Sequence, residues 1–241
     1  MYSNEFQAIV ERRRSNRRFD PNIPVPDEVI QRSLERAILS PNSSNMQLWE
    51  FYIIQSEDLK KKMVPLCLGQ SAARTAQQFV VFVIRPDLWK KRAQWNIERI
   101  QESMDGEPKN TLQKKGLDYY GKLMPIVYFN DWIGISGLLR WLFTFTVGLF
   151  RPMMRMGGKA DQRVVMHKTC GLAAQTFMLS IAAEGFDTCP MEGFDEVRVK
   201  RALNLPWSAE VNMIVAIGKG TEQGIWGKRN RVPYEEVVFK R

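Results

Sequence analysis

The sequence predicts a domain of the α+β class in which helices cover a central sheet, and three stretches carry that expectation. Residues 162–184 read as one long helix with Met166, Cys170, Ala173, Phe177 and Ile181 on one flank and Val165, Leu172, Leu179 and Ala183 on the next. A helix apolar on two flanks is a buried helix. Residues 79–84 form a continuous apolar run, the pattern of a central strand covered on both faces, and residues 210–217 form a second core strand closed by Gly218. The middle of the long helix is made of small residues, so another backbone or a flat ligand can approach it, and Gly185 is placed to end it. Residues 188–195 then read as a turn bracketed by Pro190 and Gly193, which would hold backbone N–H groups at a fixed place; an ordinary loop is the plain alternative.

Composition narrows the classes. At 241 residues the chain can bury a full core, and apolar and charged fractions of 44% and 25% are those of a folded domain. The formal charge of +9 attracts anions, from nucleic acid to a phosphorylated cofactor, an acidic lipid or an acidic substrate. Cys67, Cys170 and Cys189 form no spaced pair for a disulfide framework or zinc knuckle, so no metal is expected. Their odd count, with no apolar export stretch in residues 1–18, fits a reducing, cytoplasmic setting. His167 has no second ligand of its kind and is expected to be a hydrogen-bonded helix residue, with Cys189 structural.

The remaining elements follow in order. Residues 4–14 suggest a short helix with Phe6, Ile9 and Val10 inward, running into a cluster of five arginines in the seven positions 12–18. Cations at a helix C-terminus are favourable, but this density exceeds capping, and the guanidinium fork suits a phosphate. Pro26 opens a helix with Val29, Ile30, Leu34, Ala37 and Ile38 on one side, ending at Ser40-Pro41. The polar loop 41–47 leads to a strand at 51–54; its side chains can bond a ligand or simply turn and cap the chain. Short helices are expected at 57–64 and 70–78, a longer one at 89–104 with Trp95 and Ile100 available for packing, a surface turn at 105–110 and a helix at 112–123. Beyond the long helix come an amphipathic helix at 195–203, the strand 210–217, a basic tail at 227–233 and a strand at 237–239 able to pair with a sheet edge.

Residues 132–150 stand apart, almost wholly apolar around Arg140 and followed by Arg151, Arg155 and Lys159. Arg140 is costly in lipid, which argues against a span. The preferred expectation is a buried or lid-like helix pair, an insert at about 130–158 within a single domain over 1–241, with contact to a membrane surface as the alternative. A charge in a dry lid calls for a carboxylate or phosphate beside Arg140.

Four motifs in order resemble the nitroreductase-like FMN-dependent flavoproteins. An Arg-x-Ser-x-Arg pattern falls on Arg13, Ser15 and Arg17; a Pro-Ser-x-x-Asn-x-Gln-Pro-Trp loop on Pro41, Asn42, Ser43, Ser44, Asn45, Gln47, Leu48 and Trp49; a Pro-x-Glu-Gly-Phe turn on Pro190, Met191, Glu192, Gly193 and Phe194; and a basic-x-Arg pair before a hydrophobic-Pro step on Arg229, Arg231, Val232 and Pro233. Leu48 and Asn42 stand where the family usually has proline and serine.

The resemblance implies a mixed central sheet flanked by helices, and an intertwined homodimer whose C-terminal strand crosses to the partner. It implies FMN at the dimer interface, with Arg13, Arg229 and Arg231 on the phosphate, Ser15 on the ribityl chain and Arg17 beside N1 and O2. Pro41, Asn42, Ser43 and Asn45 would be contributed by the other subunit, Pro190 and Met191 would contact the cofactor, and the Glu192 and Gly193 backbone would lie near N5. A further polar contact falls on Gln70 or Arg74. The implied activity is transfer of hydride from NADH or NADPH to a flat, electron-poor organic acceptor such as a nitroaromatic or quinone. Reductive dehalogenation, flavin fragmentation, or a non-catalytic flavin protein touching a membrane surface are the alternatives. Nucleic acid is not expected as a partner, because the phosphate reading already uses the arginines.

Overall fold

The computed structural model describes residues 2–104, 111–155 and 157–241; the surface turn expected at 105–110 lies outside them. In chain order the elements are α1 (Ser3–Arg12), α2 (Asp27–Ile38), β1 (Trp49–Ile54), α3 (Glu57–Leu66), α4 (Ser71–Thr75), β2 (Gln78–Ile84), α5 (Trp89–Glu102), α6 (Thr111–Asp118), a π-helical turn (Tyr119–Leu123), α7 (Met124–Tyr128), α8 (Ile135–Phe150), α9 (Lys159–Ala183), β3 (Asp187–Met191), α10 (Glu196–Ala202) and β4 (Glu210–Gly218).

The sheet has the order β1-β2-β4-β3, with every named pair antiparallel and a parallel bridge between Ser15 and Thr188 outside β3's far edge. Strand β2 is central and almost wholly buried, as its unbroken apolar run requires. Its alternate side chains divide between two cores. Val80, Phe82 and Ile84 face α9 residues Met166, Cys170, Ala173 and Phe177, while Phe79, Val81 and Val83 face Met63 of α3, Cys67 just after it, Ala72 of α4 and Val199 of α10. Fully burying side chains of this size contributes about 1.5–3 kcal/mol each before entropy is counted.

Helix α9 ends where Gly185 takes φ +86° and the Gly185 and Phe186 N–H groups return to the carbonyls of Ala182 and Ile181. That closure needs a left-handed residue, which glycine supplies without steric cost. Glu184 at this end is clasped by Arg32 and Arg36 of α2, both at 2.8 Å. His167 lies between Glu210, 3.2 Å from Nε2, and the Asn212 amide, which donates to Nδ1 at 3.0 Å, so it is the hydrogen-bonded helix residue its surroundings suggested.

Five expectations are corrected. The inner flank of α9 is buried, but Leu172 and Ala183 of the second flank are exposed in the single chain. Helix α1 buries no residue, and Phe6 is exposed. Trp95 of α5 is exposed, Ala93 and Asn96 being the buried residues of that helix. Residues 187–191 are a strand; Pro190 is tolerated there because β3 lies at the edge of the named strands, where no ladder bond need come from its nitrogen. The tail forms a short 3-10 turn at Tyr234–Glu236 and no strand at 237–239, where an edge strand would need a partner.

Within the apolar stretch 132–150, one helix and not a helix pair forms, α8 over Ile135–Phe150, and none of its residues is buried. Among the described residues Arg140 forms no ion pair, the Asp131 carboxylate acting on it only through its field. It donates instead to the carbonyls of Gly157, Ile126 and Phe129 and to Asn130 Oδ1 at 2.8 Å. Four neutral acceptors neutralise no charge but satisfy the guanidinium fork.

Candidate functional site

After α1 the chain runs as an extended strap along β3 and then beside the segment that follows β4. Asn16 N donates to Thr188 O at 3.0 Å, Arg17 N to Gly224 O at 2.8 Å and Asp20 N to Lys219 O at 2.8 Å, while Thr221 N returns a bond to Arg18 O at 2.9 Å. Asn16 is the buried pin of this clasp: its amide donates to Thr221 O at 2.9 Å and its Oδ1 accepts from Arg18 N at 3.1 Å. Gly224 is required by the approach, since a Cβ there would lie 1.8 Å from Asn16 Oδ1.

The clasp brings residues more than two hundred positions apart into one cleft of about 190 Å³, lined by Arg13, Ser15, Arg17, Trp226, Arg229 and Arg231 together with Arg14, Lys228 and Asn230. No carboxylate lines it. Burial, together with the like charges of Arg229, Arg231 and Arg14, holds the Arg13 guanidinium below the usual arginine range. Arg17 lies 4.4 Å above the Trp226 ring, a cation–π contact that fixes its direction. Arg229 is already engaged: its Nη atoms donate to Val10 O at 3.2 Å, Glu11 O at 2.9 Å and Arg13 O at 2.7 Å, the exposed carbonyls at the end of α1. Arg231 donates to Asn230 O at 2.7 Å.

The turn after β3 is held from the side. Gln70 Nε2 donates to Gly193 O at 2.6 Å and to Cys67 O at 3.1 Å, whereas Arg74 is turned to Gly69 O at 2.7 Å. Glu192 and Gly193 are exposed, and among the described residues neither backbone N–H has a protein acceptor. Pro190 and Met191 lie in β3 opposite Val215 and Ile214, so the strand fixes where the turn begins. Cys189 is buried, and burial raises its thiol pKa, against a smaller opposite pull from Arg17.

The polar loop lies elsewhere on the chain. Ser44, Asn45 and Gln47 all have positive φ, between 47° and 54°, a cluster of left-handed non-glycine residues that the surroundings must enforce. Asn42 Oδ1 accepts from Gln47 N at 2.9 Å, the Ser44 hydroxyl meets Tyr119 OH at 2.6 Å, and the Asn45 amide donates to Asn96 Oδ1 at 2.8 Å. Pro41, Ser43 and Asn45 are exposed. None of the residues 41–45 reaches the arginine cleft of its own chain.

Sequence reasoning passed over Asn16, Trp226 and Lys228. Trp226, an aromatic just before Gly227 and the basic tail, is the signal that could have been used, because arginine and an aromatic face are natural partners.

Comparison with known proteins agrees across nearly the whole chain. The pattern that defines the nitroreductase family matches residues 10–219. Protein DrgA of Synechocystis is 27% identical over 228 residues, covering 95% of this chain and 90% of that protein. An NADH dehydrogenase of Thermus thermophilus is 26% identical, covering 95% and 93%. The crystal structure of ydfN from Bacillus subtilis has the same fold, with a TM-score of 0.73 at 24% identity over 99% of both chains.

Proposed function

Since the chain belongs to the nitroreductase family, we propose that it is an FMN-dependent oxidoreductase passing hydride from NADH or NADPH to a small, flat, electron-poor organic acceptor of the nitroaromatic or quinone type. The observation that carries this reading is the arginine cleft: cations gathered without a carboxylate, one of them held partly buried against its like-charged neighbours. Such a cluster is completed by an anion, and the donor set fits a phosphate monoester. Arg13 and Arg231 are the forks that would hold it, with Ser15 beside them. Arg229, its Nη atoms engaged on α1, supplies field and holds the tail in place.

Bound there, FMN supplies the hydride-accepting ring. The chain orients and stabilises. Arg17, fixed over Trp226, would hold a positive charge beside the bound group, of the kind that favours a ring system gaining negative charge on reduction. The N–H groups of Glu192 and Gly193, steadied by Gln70 at Gly193 O, are free to direct the reacting face. No side chain is needed as a nucleophile, and the buried Cys189 thiol is unsuited to be one.

In this reading the working unit is a homodimer, with the loop 41–45 of one protomer completing the cleft of its partner. Its support is the apolar surface that one chain leaves open on α1, on the outer flank of α9 and at Val237, Val238 and Phe239. The test is anaerobic titration of the purified yellow protein with NADH and NADPH. Flavin absorbance should bleach with one of them and return on adding a nitroaromatic or quinone. Retained flavin that neither nucleotide bleaches would overturn the enzymatic reading. A rate survey that includes halogenated aromatics separates the specialised reductases.

A further inference from the structure

We propose that α8 is an interfacial anchor that lays the protein on an anionic bilayer. This goes beyond the flavin reading and does not depend on it. All sixteen residues of α8 are at least partly open, its last residue Phe150 being 85% exposed, and the patch continues into Trp132, 97% exposed. Against the protein lies one narrow side. There Gly157 runs so close to the Trp141 backbone that a Cβ would come within 2.6 Å of its nitrogen, and Gly137 faces Gly158. The other sides present Leu138, Leu139, Leu142, Phe143 and Leu149 to solvent, far more contiguous apolar surface than a lone soluble chain carries.

The charges around this helix are disposed for an anionic partner. Arg140 does not interrupt the apolar surface, because its guanidinium is folded back onto carbonyls. Asp131, the sole carboxylate between Ile126 and Lys159, accepts the Ile135 and Ser136 N–H groups at the start of α8. The other charges around the helix are positive and exposed: Arg151 just past its C-terminal end, Arg155 laid along it with Nη2 donating to Gly148 O and the guanidinium over Phe145, and Lys159 beside Trp132 and Gly137 at its N-terminal part. An apolar helix with a basic rim matches acyl chains flanked by phosphate headgroups. A transverse insertion is ruled out by length, since sixteen residues of helix reach about 24 Å against a hydrocarbon core of about 30 Å.

The test uses the full-length, flavin-loaded protein and sedimentation with vesicles of phosphatidylcholine alone or with added phosphatidylglycerol. Binding is expected only to the anionic vesicles and should fall with salt. Arg151→Gln with Arg155→Gln should weaken it roughly 25-fold, at about fivefold per charge removed. Leu138→Glu with Leu142→Glu should abolish it while flavin absorbance and circular dichroism are retained. Because Cys67, Cys170 and Cys189 are buried, an environment-sensitive dye on Leu142→Cys should report α8 alone and shift to the blue on anionic vesicles. Failure to sediment with either vesicle, or equal binding of all variants, overturns the proposal. So does conversion of a dimer to monomers by the Leu138/Leu142 variant, which would assign α8 to a second copy of the chain. In each of these cases the nucleotide-bleaching result stands separately.

Discussion

Replacing Arg13 with alanine should separate ligand binding from folding. The guanidinium lies among Arg14, Arg229 and Arg231 and is partly desolvated, so in the flavin-free protein it is held against repulsion. With a phosphate in the cleft the same group makes a charge-assisted hydrogen bond, worth about 1.5–3 kcal/mol. FMN should therefore bind roughly 10- to 150-fold more weakly, while the thermal midpoint of the flavin-free protein stays level or rises. Arg229→Ala should behave otherwise, because it strips three bonds from the carbonyls of Val10, Glu11 and Arg13, and both midpoint and affinity should fall. Flavin fluorescence titration gives the Kd, and differential scanning fluorimetry on stripped protein gives the midpoint. An unchanged Kd for Arg13→Ala, or a loss of flavin-free midpoint as large as that of Arg229→Ala, would refute the reasoning.

Gly224→Ala would place a methyl group 1.8 Å from Asn16 Oδ1 and 2.6 Å from Arg18 N, so the clasp must open; a loss of roughly 1–3 kcal/mol is expected in denaturant melts, and a wild-type midpoint would exclude the described packing. Hydrogen bonds from Arg32 and then Arg36 hold the Glu184 carboxyl down at about 2. Its folded pKa lies below the unfolded one, so this stabilisation is complete above the unfolded value and lost as pH falls through about 2. The stability gap between wild type and Glu184→Gln should accordingly be widest near neutrality and close in acid; a gap that ignores pH would remove the ion pair as its source. Burial pushes the Cys67 thiol up to about 11 and the Cys170 thiol up to about 12. With Cys189 also buried, a thiol reagent should label none of the three in the native protein and all three after unfolding; rapid native labelling would contradict the packing.

What the sequence made legible was whatever one chain's core decides. Strand β2 and the inner flank of α9 were readable because a residue buried on both sides must be apolar whatever lies farther away. The arginine cluster was readable as chemistry, since so dense a run exceeds what capping uses. Where the reading failed, the deciding contact was distant. Pro190 suggested a turn because local preference cannot see that β3 lies at an edge. The helix α1, the outer flank of α9 and the 237–239 segment look half-buried by pattern, yet one chain supplies nothing to cover them. The sequence shows the charge of Arg140 and so calls for an anion beside it, whereas the three carbonyls that hold it are not visible there. Trp226 carries no local signal for a related reason: its partner, Arg17, is some two hundred residues away in the chain.

The clasp between residues 16–20 and 219–224 sets a timetable for the molecule. On a ribosome the strap emerges some two hundred residues ahead of its hydrogen-bond partners at Lys219, Thr221 and Gly224 and of the tail arginines. Both cores can close once β4 is made, because their members lie at or before Ile217. A nascent chain therefore passes through a stage with a finished interior and an anion cleft lacking one wall. On the proposed reading, flavin would stabilise only chains in which residues 16–20 and the segment after β4 have already met.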